Sequence, residues 1–150
     1  MNVRYPRPEG THGYTQLFRS GFLESTYVLG YPNDTGFASL GYVTYEQDLV
    51  SLLRTFRAEL EYHQIDQEVA VMVSLLRADR VELGFEMWRF NLDDHQGRFD
   101  RKDVLIPDIL APRDMAPELA MKPVFDLVWQ AAGMERSFNY NPDGQWAPLQ

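Results

Sequence analysis

The stretch from Gln67 to Met87 constrains the fold more than any other part of the chain. Its first half, EVAVMVSLL, is apolar at nearly every position, which is typical of a strand buried on both faces. A polar break at residues 77–80 separates it from VELGFEM, in which apolar and polar residues alternate. That alternation indicates a half-buried strand. The stretch therefore predicts two strands, joined by a short turn, in the middle of a sheet.

Two segments have the spacing of amphipathic helices. After Thr44 an apolar stripe recurs at helical intervals, and Thr44 with Gln47 fits a capping box. This helix should end near His63. Pro117 suits the first turn of a second helix, in which Pro123 either interrupts the helix or starts another helical segment.

Other segments favour strands. Residues 14–18 and 22–29 are rich in β-forming residues and flank a turn at Gly21, which predicts a hairpin. Residues 104–110 are also apolar, but Pro107 cannot donate to a ladder. This segment is therefore predicted to be an edge strand or a broken one.

The element pattern predicts one α+β domain over residues 1–150, with two layers: a mostly antiparallel sheet covered by two main helices. We expect its ordered core at about residues 13–133, followed by an aromatic, turn-rich tail at 134–150. The aromatic residues of the tail are Phe138, Tyr140 and Trp146. We expect them to pin the tail onto the domain.

Composition excludes several functional classes. A net charge of −8 disfavours general affinity for nucleic-acid backbones and for anionic membranes. The absence of cysteine excludes disulfides, thiolate zinc sites and cysteine nucleophiles, and it suits the cytoplasm. No apolar run approaches the roughly 20 residues of a membrane span, and we expect no signal peptide. We therefore expect a cytoplasmic protein that does not bind membranes and has no general affinity for nucleic acid.

One combination of motifs resembles a known group of proteins. Residues 14–24, YTQLFRSGFLE, have the form of an FRNGxIE strand-turn-strand. The other matching segments are residues 40–56, 69–76, 100–107, 123–133 and 137–146. Together they resemble the C-terminal region of bacterial Schlafen/AlbA_2-type proteins, a group regarded as DNA-binding or ATP-binding.

The resemblance implies an accessory role. In that group the nucleic-acid or nucleotide role belongs to an N-terminal domain, and this chain resembles only the C-terminal region. No Walker-type G-x-x-x-x-G-K-[ST] motif is present to cradle a phosphate. The implied function is a non-catalytic interaction or regulatory domain, which forms a homodimer or docks onto a partner protein. No cofactor is predicted.

The densest set of metal-ligand residue types is Asp93, Asp94 and His95, with Asp100 and Asp103 nearby. Carboxylates and an imidazole can together hold a divalent cation. The spacing matches no calcium-loop pattern, however. The alternative interpretation is a solvated turn between two strands.

Glu24 is the candidate catalytic residue. It lies inside the β-rich run FLESTYVL, and a strand carboxylate that faces a pocket can act as a general base. An ion pair with Arg19 is the alternative. The second functional hypothesis is therefore a small metal-assisted hydrolase or nuclease that uses Glu24 with the cluster of Asp93, Asp94 and His95.

A third set of residues has the chemistry of a nucleic-acid contact. Arg98, Arg101 and Lys102 can bind phosphates, and Phe99 between them can stack on a base. Asp100 is interleaved with these cations, so a charged surface loop is the competing interpretation.

Aromatic residues also suggest a contact surface. The candidates for an exposed aromatic patch are Tyr27, Tyr31, Phe37, Tyr42 and Trp88. Exposed aromatic patches commonly mark protein–protein contacts. The competing interpretation is that these rings are buried in the core.

Overall fold

The computed structural model describes residues 13–28, 36–84 and 97–148. These ranges form an α+β fold with a 19-residue helix, a 15-residue helix and eight short strands. The elements in chain order are β1 (Gly13–Leu17), β2 (Leu23–Tyr27), β3 (Ala38–Leu40), α1 (Thr44–Tyr62), β4 (Val69–Val71), β5 (Ser74–Leu76), β6 (Val81–Leu83), β7 (Asp103–Leu105), β8 (Ile109–Ala111) and α2 (Pro117–Ala131).

The strands of the described residues pair as four two-stranded ladders. Three are antiparallel, namely β1 with β2, β4 with β8, and β5 with β7. Strand β3 lies parallel to β6. The predicted α+β fold, with mostly antiparallel pairing and two main helices, is confirmed.

The hairpin of β1 and β2 closes at the predicted turn. The N–H of Phe18 donates to the carbonyl of Phe22 at 2.7 Å, and Gly21 between them has a φ of +85°. A left-handed residue at this point of a short hairpin loop suits glycine, which has no Cβ to clash. The predicted hairpin is confirmed.

A turn at residues 77–80 sends the chain from one ladder to another. Arg77 has a φ of 58°, and Ala78–Arg80 form one turn of 3₁₀ helix. The N–H of Ala78 donates to the carbonyl of Lys102 at 2.7 Å. Strand β5 therefore pairs with β7, strand β6 pairs with β3, and β5 and β6 do not pair with each other.

Strands β4 and β5 together face β8 and β7, and we call this double ladder the ribbon. Two residues separate β4 from β5, whereas three, including Pro107, separate β7 from β8. The extra residue is a bulge at the proline, which has no N–H to give to the ladder. The predicted break at Pro107 is confirmed.

The prediction that the first valine-rich strand is buried on both faces is wrong. Val69 and Leu75 are buried in the core shared with the helices. On the opposite face, Ala70, Met72 and Leu76 are exposed. A run of apolar residues indicates what a strand can bury, but the described helices cover only one face of the ribbon.

Helix α1 starts without the predicted capping box. Its N-cap is Val43, no side chain caps its first N–H groups, and Thr44 is already helical. The end of the helix is as predicted, with His63 as the C-cap. Neither α1 nor α2 has the length and apolar stretch needed to cross a membrane, a finding that covers only the described ranges.

Helix α2 forms the centre of the core. Pro117 lies in its first turn as predicted, and the helix continues through Pro123 without interruption. At its end Gly133 has a φ of +80°, and the N–H of Met134 donates to the carbonyl of Trp129 at 3.0 Å. This is the Schellman arrangement, in which a left-handed glycine ends the helix.

Pro123 gives a test of helix energetics. Replacing Pro123 with Ala should raise the free energy of unfolding by about 1–3 kcal/mol, because an N–H is restored to bond the carbonyl of Leu119 and the ring no longer crowds that carbonyl. Chemical denaturation measures the difference. Ser51→Ala, at an exposed position of α1, is the control and should change stability by about 0.5 kcal/mol or less. A Pro123→Ala protein less stable than wild type would contradict the prediction.

Candidate functional site

A fully buried carboxylate lies at the meeting point of α1, α2 and the tail. Glu46, in the first turn of α1, has no exposed surface. Its Oε1 accepts hydrogen bonds from Trp129 Nε1 at 2.9 Å, from the Ser137 hydroxyl at 2.7 Å and from the Tyr45 hydroxyl at 3.3 Å. Its Oε2 accepts one from Trp146 Nε1 at 2.8 Å. We call these five residues the Glu46 cluster.

Tail contacts around Ser137 hold the cluster in place. The N–H of Ser137 donates to Asp126 of α2 at 3.0 Å. The side-chain amide of Asn139 donates to the carbonyl of Tyr42 at 2.9 Å, and its N–H donates to the Ser137 hydroxyl at 3.3 Å. Tyr140 is buried against Phe125. The tail is thus packed onto the domain by its aromatic residues, as the sequence predicts.

Burial dominates the electrostatics of the cluster. Burial raises the pKa of Glu46, because a carboxylate loses its hydration, while the hydrogen bonds from Trp146, Ser137, Asn139 and Trp129 act in the opposite direction. Burial, followed by the charge of Glu46, raises the pKa of Tyr45. Glu46 has no exposed surface, and its hydrogen bonds connect α1, α2 and the tail.

Sequence reasoning missed this residue. Glu46 lies three residues before Leu49 and seven before Leu53. That spacing places it beside the apolar stripe of α1. The helical period was therefore the signal in the sequence that could have placed Glu46 in the core.

A groove of about 450 Å³ lies between α1 and the loop before α2. Arg54, Arg57 and Arg113 line it. Arg54 forms an ion pair with Glu118, and Arg113 forms one with Asp66 at 2.6 Å. These two guanidiniums already have carboxylate partners in the fold.

Arg57 holds the loop itself. Its guanidinium donates to the carbonyl of Pro112 at 2.7 Å and to the carbonyl of Met115 at 2.6 Å. Burial lowers the pKa of Arg57. The groove is therefore a junction between α1 and the loop, in which all three arginines make structural contacts.

Glu24, the predicted catalytic residue, lies on β2 of the hairpin. It is half-buried and faces Gln16 across the ladder. It does not line the groove between α1 and the loop before α2, nor a second pocket of about 110 Å³ beside Leu60 and Ile65. The predicted partners Asp93, Asp94 and His95 lie outside the described residues. Among the described residues, no group of three or more histidine, aspartate or glutamate side chains is placed to hold a metal ion.

The predicted nucleic-acid residues are exposed and make contacts within the chain. Arg98 forms an ion pair with Glu82 at 3.4 Å, and its guanidinium lies 4.7 Å from the centre of the Phe37 ring. This stacked arrangement fixes Arg98 against β6 and the segment before β3.

Among the residues next to Arg98, Phe99 differs from the prediction. Arg101 pairs with Asp100 at 3.7 Å, and Lys102 is exposed. Phe99 is only 3% exposed, so the predicted stacking of this ring on a base is wrong. Phe99 alternates with exposed neighbours and packs into the core.

An exposed apolar surface lies on the hairpin, and we call it the hairpin patch. No residue of the hairpin, 13–28, is buried. The large apolar side chains of the patch are Tyr14, Leu17, Phe18, Phe22, Tyr27 and Val28. Of the five aromatic residues predicted to form a patch, Tyr27 belongs to it, Phe37 and Tyr42 are half-buried elsewhere, and Tyr31 and Trp88 lie outside the described residues.

Comparisons of the chain with protein-family models, with curated proteins and with solved structures found no match. The resemblance to the Schlafen/AlbA_2 proteins therefore stays a prediction from the sequence.

The Glu46 cluster predicts a pH-dependent stability difference. Glu46→Gln keeps the side-chain size but turns one acceptor oxygen into a donor that faces another donor. It should lower the free energy of unfolding by about 1–3 kcal/mol. Because the pKa of Glu46 is raised in the folded state, its stabilising contribution is greatest below the unfolded pKa of about 4.3 and is lost as pH rises through the folded pKa.

The advantage of wild type over Glu46→Gln should therefore narrow as pH rises from about 4 to 8, as measured by urea unfolding. Glu59→Gln, at an exposed position of the same helix, should show almost no difference at any pH. An advantage that widens with pH would show that the folded protein favours the ionised form of Glu46.

Proposed function

We propose that this chain is a non-catalytic interaction domain that self-associates through the hairpin patch. The observation that carries the proposal is the exposure of six large apolar side chains, each 38–66% exposed, on a 16-residue hairpin with no buried residue. The strand pairing places Tyr14, Phe18 and Phe22 on one face of the hairpin and Leu17 and Tyr27 on the other. Exposed apolar side chains that share a face commonly mark a contact with another molecule.

The hairpin also gains from a partner on energetic grounds. An isolated two-stranded hairpin is marginally stable in water. Two of its rings, Phe18 and Phe22, pack on each other with centres 5.7 Å apart, but they remain 38% and 47% exposed. Burying such rings against a second surface removes apolar area from water at about 25 cal/mol per Å². Association would therefore stabilise the hairpin itself.

Charge favours a second copy of the chain as the partner. Residues 13–28 contain one cation, Arg19, and one anion, Glu24, whereas the whole chain has a net charge of −8. Two copies can meet at this neutral surface without direct repulsion, while their remaining charges repel at longer range. A strongly charged partner would find no matching charge on the patch.

The sequence resemblance supports the same class of function. The C-terminal region of the Schlafen/AlbA_2-type proteins is an accessory region, separate from the domain with the nucleotide or nucleic-acid role. In the described residues of this chain, the most buried carboxylate and the groove arginines make structural contacts. The hairpin patch is a surface left without such a role.

The direct test is the oligomeric state of a hairpin variant. Phe18→Ser/Phe22→Ser should weaken self-association at least about tenfold relative to wild type, because each exposed ring contributes about 1 kcal/mol or more when buried. Sedimentation velocity over a concentration series measures the dissociation constant. Tyr62→Ser is the control, because Tyr62 is 80% exposed at the end of α1 but lies off the hairpin. A monomeric wild type at about 1 mM, or an unchanged double variant, would overturn the proposal.

Salt should strengthen the association. Because the contact surface is neutral and the chains repel at long range, raising sodium chloride from about 50 mM to about 500 mM should tighten the dimer roughly two- to tenfold. The same sedimentation series at each salt concentration measures this change. Weaker association at high salt would mean that ion pairs, and not the apolar patch, hold the copies together.

A further inference from the structure

The outer face of the ribbon is a second bare apolar surface. Met72, Leu76, Leu105 and Leu110 are 55%, 68%, 72% and 64% exposed. They lie opposite the buried face of the same strands, which packs in the core. No other described element covers them. We call this set of four side chains the outer face.

The bulge at Pro107 places these residues together. Ala70 pairs with Leu110 and Ser74 pairs with Leu105. Because Ala70 and Ser74 are exposed, both leucines lie on the exposed face of the ribbon. Without the extra residue, successive side chains would alternate, and residues 105 and 110 would lie on opposite faces. The bulge thus places Leu105 and Leu110 on the same face as Met72 and Leu76, a face that also includes Ser74 and Asp103.

We propose that the outer face receives the hairpin of a second copy, so that two chains exchange hairpins in a closed dimer. This inference rests on the proposed self-association and names the surface that accepts the hairpin patch. The side of the hairpin that bears Tyr14, Phe18 and Phe22 supplies flat aromatic rings. The outer face supplies flexible aliphatic side chains, which can pack around such rings.

The amount of surface fits a stable dimer. The exposed parts of Tyr14, Phe18 and Phe22 and of the four outer-face side chains leave on the order of 700 Å² of apolar surface bare in each chain. Two reciprocal contacts would then bury on the order of 1,400 Å², and specific interfaces bury about 1,200–2,000 Å². A single hairpin-to-hairpin contact would cover less and leave both outer faces in water.

A reciprocal contact also limits the assembly to two chains. Each chain offers one hairpin and one outer face, so a two-fold arrangement uses both surfaces of both copies. A one-way contact would leave a hairpin and an outer face free at the two ends, and copies would add without limit. A discrete dimer is therefore the expected species, without larger polymers.

The test uses one variant for each surface. The hairpin variant is Phe18→Ser/Phe22→Ser, and the outer-face variant is Leu76→Ser/Leu105→Ser. Each alone should dimerise at least about tenfold more weakly than wild type. Leu119→Ser, at a 48% exposed position of α2, is the matched control and should dimerise like wild type. Circular dichroism and the unfolding midpoint of each variant check that it is folded.

Mixing the two variants decides between the arrangements. In an exchanged dimer, the intact hairpin of the outer-face variant meets the intact outer face of the hairpin variant, so one complete contact returns. With one variant fluorescently labelled, sedimentation velocity should show a heterodimer under conditions in which each variant alone is monomeric. Restored association supports the exchange.

The remaining outcomes separate the two proposals. If the outer-face variant dimerises like wild type while the hairpin variant does not, the hairpins contact each other, and this inference fails while the proposed function stands. If both folded variants remain monomeric when mixed, the exchange is also overturned. If the hairpin variant dimerises like wild type, both proposals fail.

Discussion

The rest of the fold depends on the buried carboxylate of Glu46. Moving a charged carboxylate out of water costs several kcal/mol, and this cost is offset only when donors surround it. Those donors come from Tyr45 on α1, from Trp129 on α2, and from Ser137 and Trp146 in the tail. The two helices and the tail must therefore be in place together, because a missing donor leaves a buried acceptor without its partner.

The two sides of the described fold differ in how much of their apolar surface is buried. On the helix side six side chains of α2 are buried, with Phe125, Val128 and Trp129 fully enclosed. On the ribbon side the described chain has no second layer, so Leu76 and Leu105 stay exposed. An apolar strand needs cover on both faces, and two helices on one side supply only half of it.

The distribution of polar contacts bears on function as well. The arginines of the groove are bound to carboxylates and backbone carbonyls, and Glu46 is enclosed by its donors. Such groups stabilise the fold without presenting an open reaction centre. Among the described residues, the hairpin and the outer face of the ribbon leave large apolar side chains exposed, and apolar surface is suited to association.

Three local elements could be predicted from residue type alone: the hairpin at Gly21, the helix starting at Pro117 and the break at Pro107. Each depends on short-range backbone chemistry, such as a left-handed glycine or a proline without an N–H. The burial of Glu46, the pairing of β6 with β3 and the bare face of the valine-rich strand emerge only in the folded chain. Those outcomes depend on which distant segments meet, and neither residue type nor local periodicity contains that information.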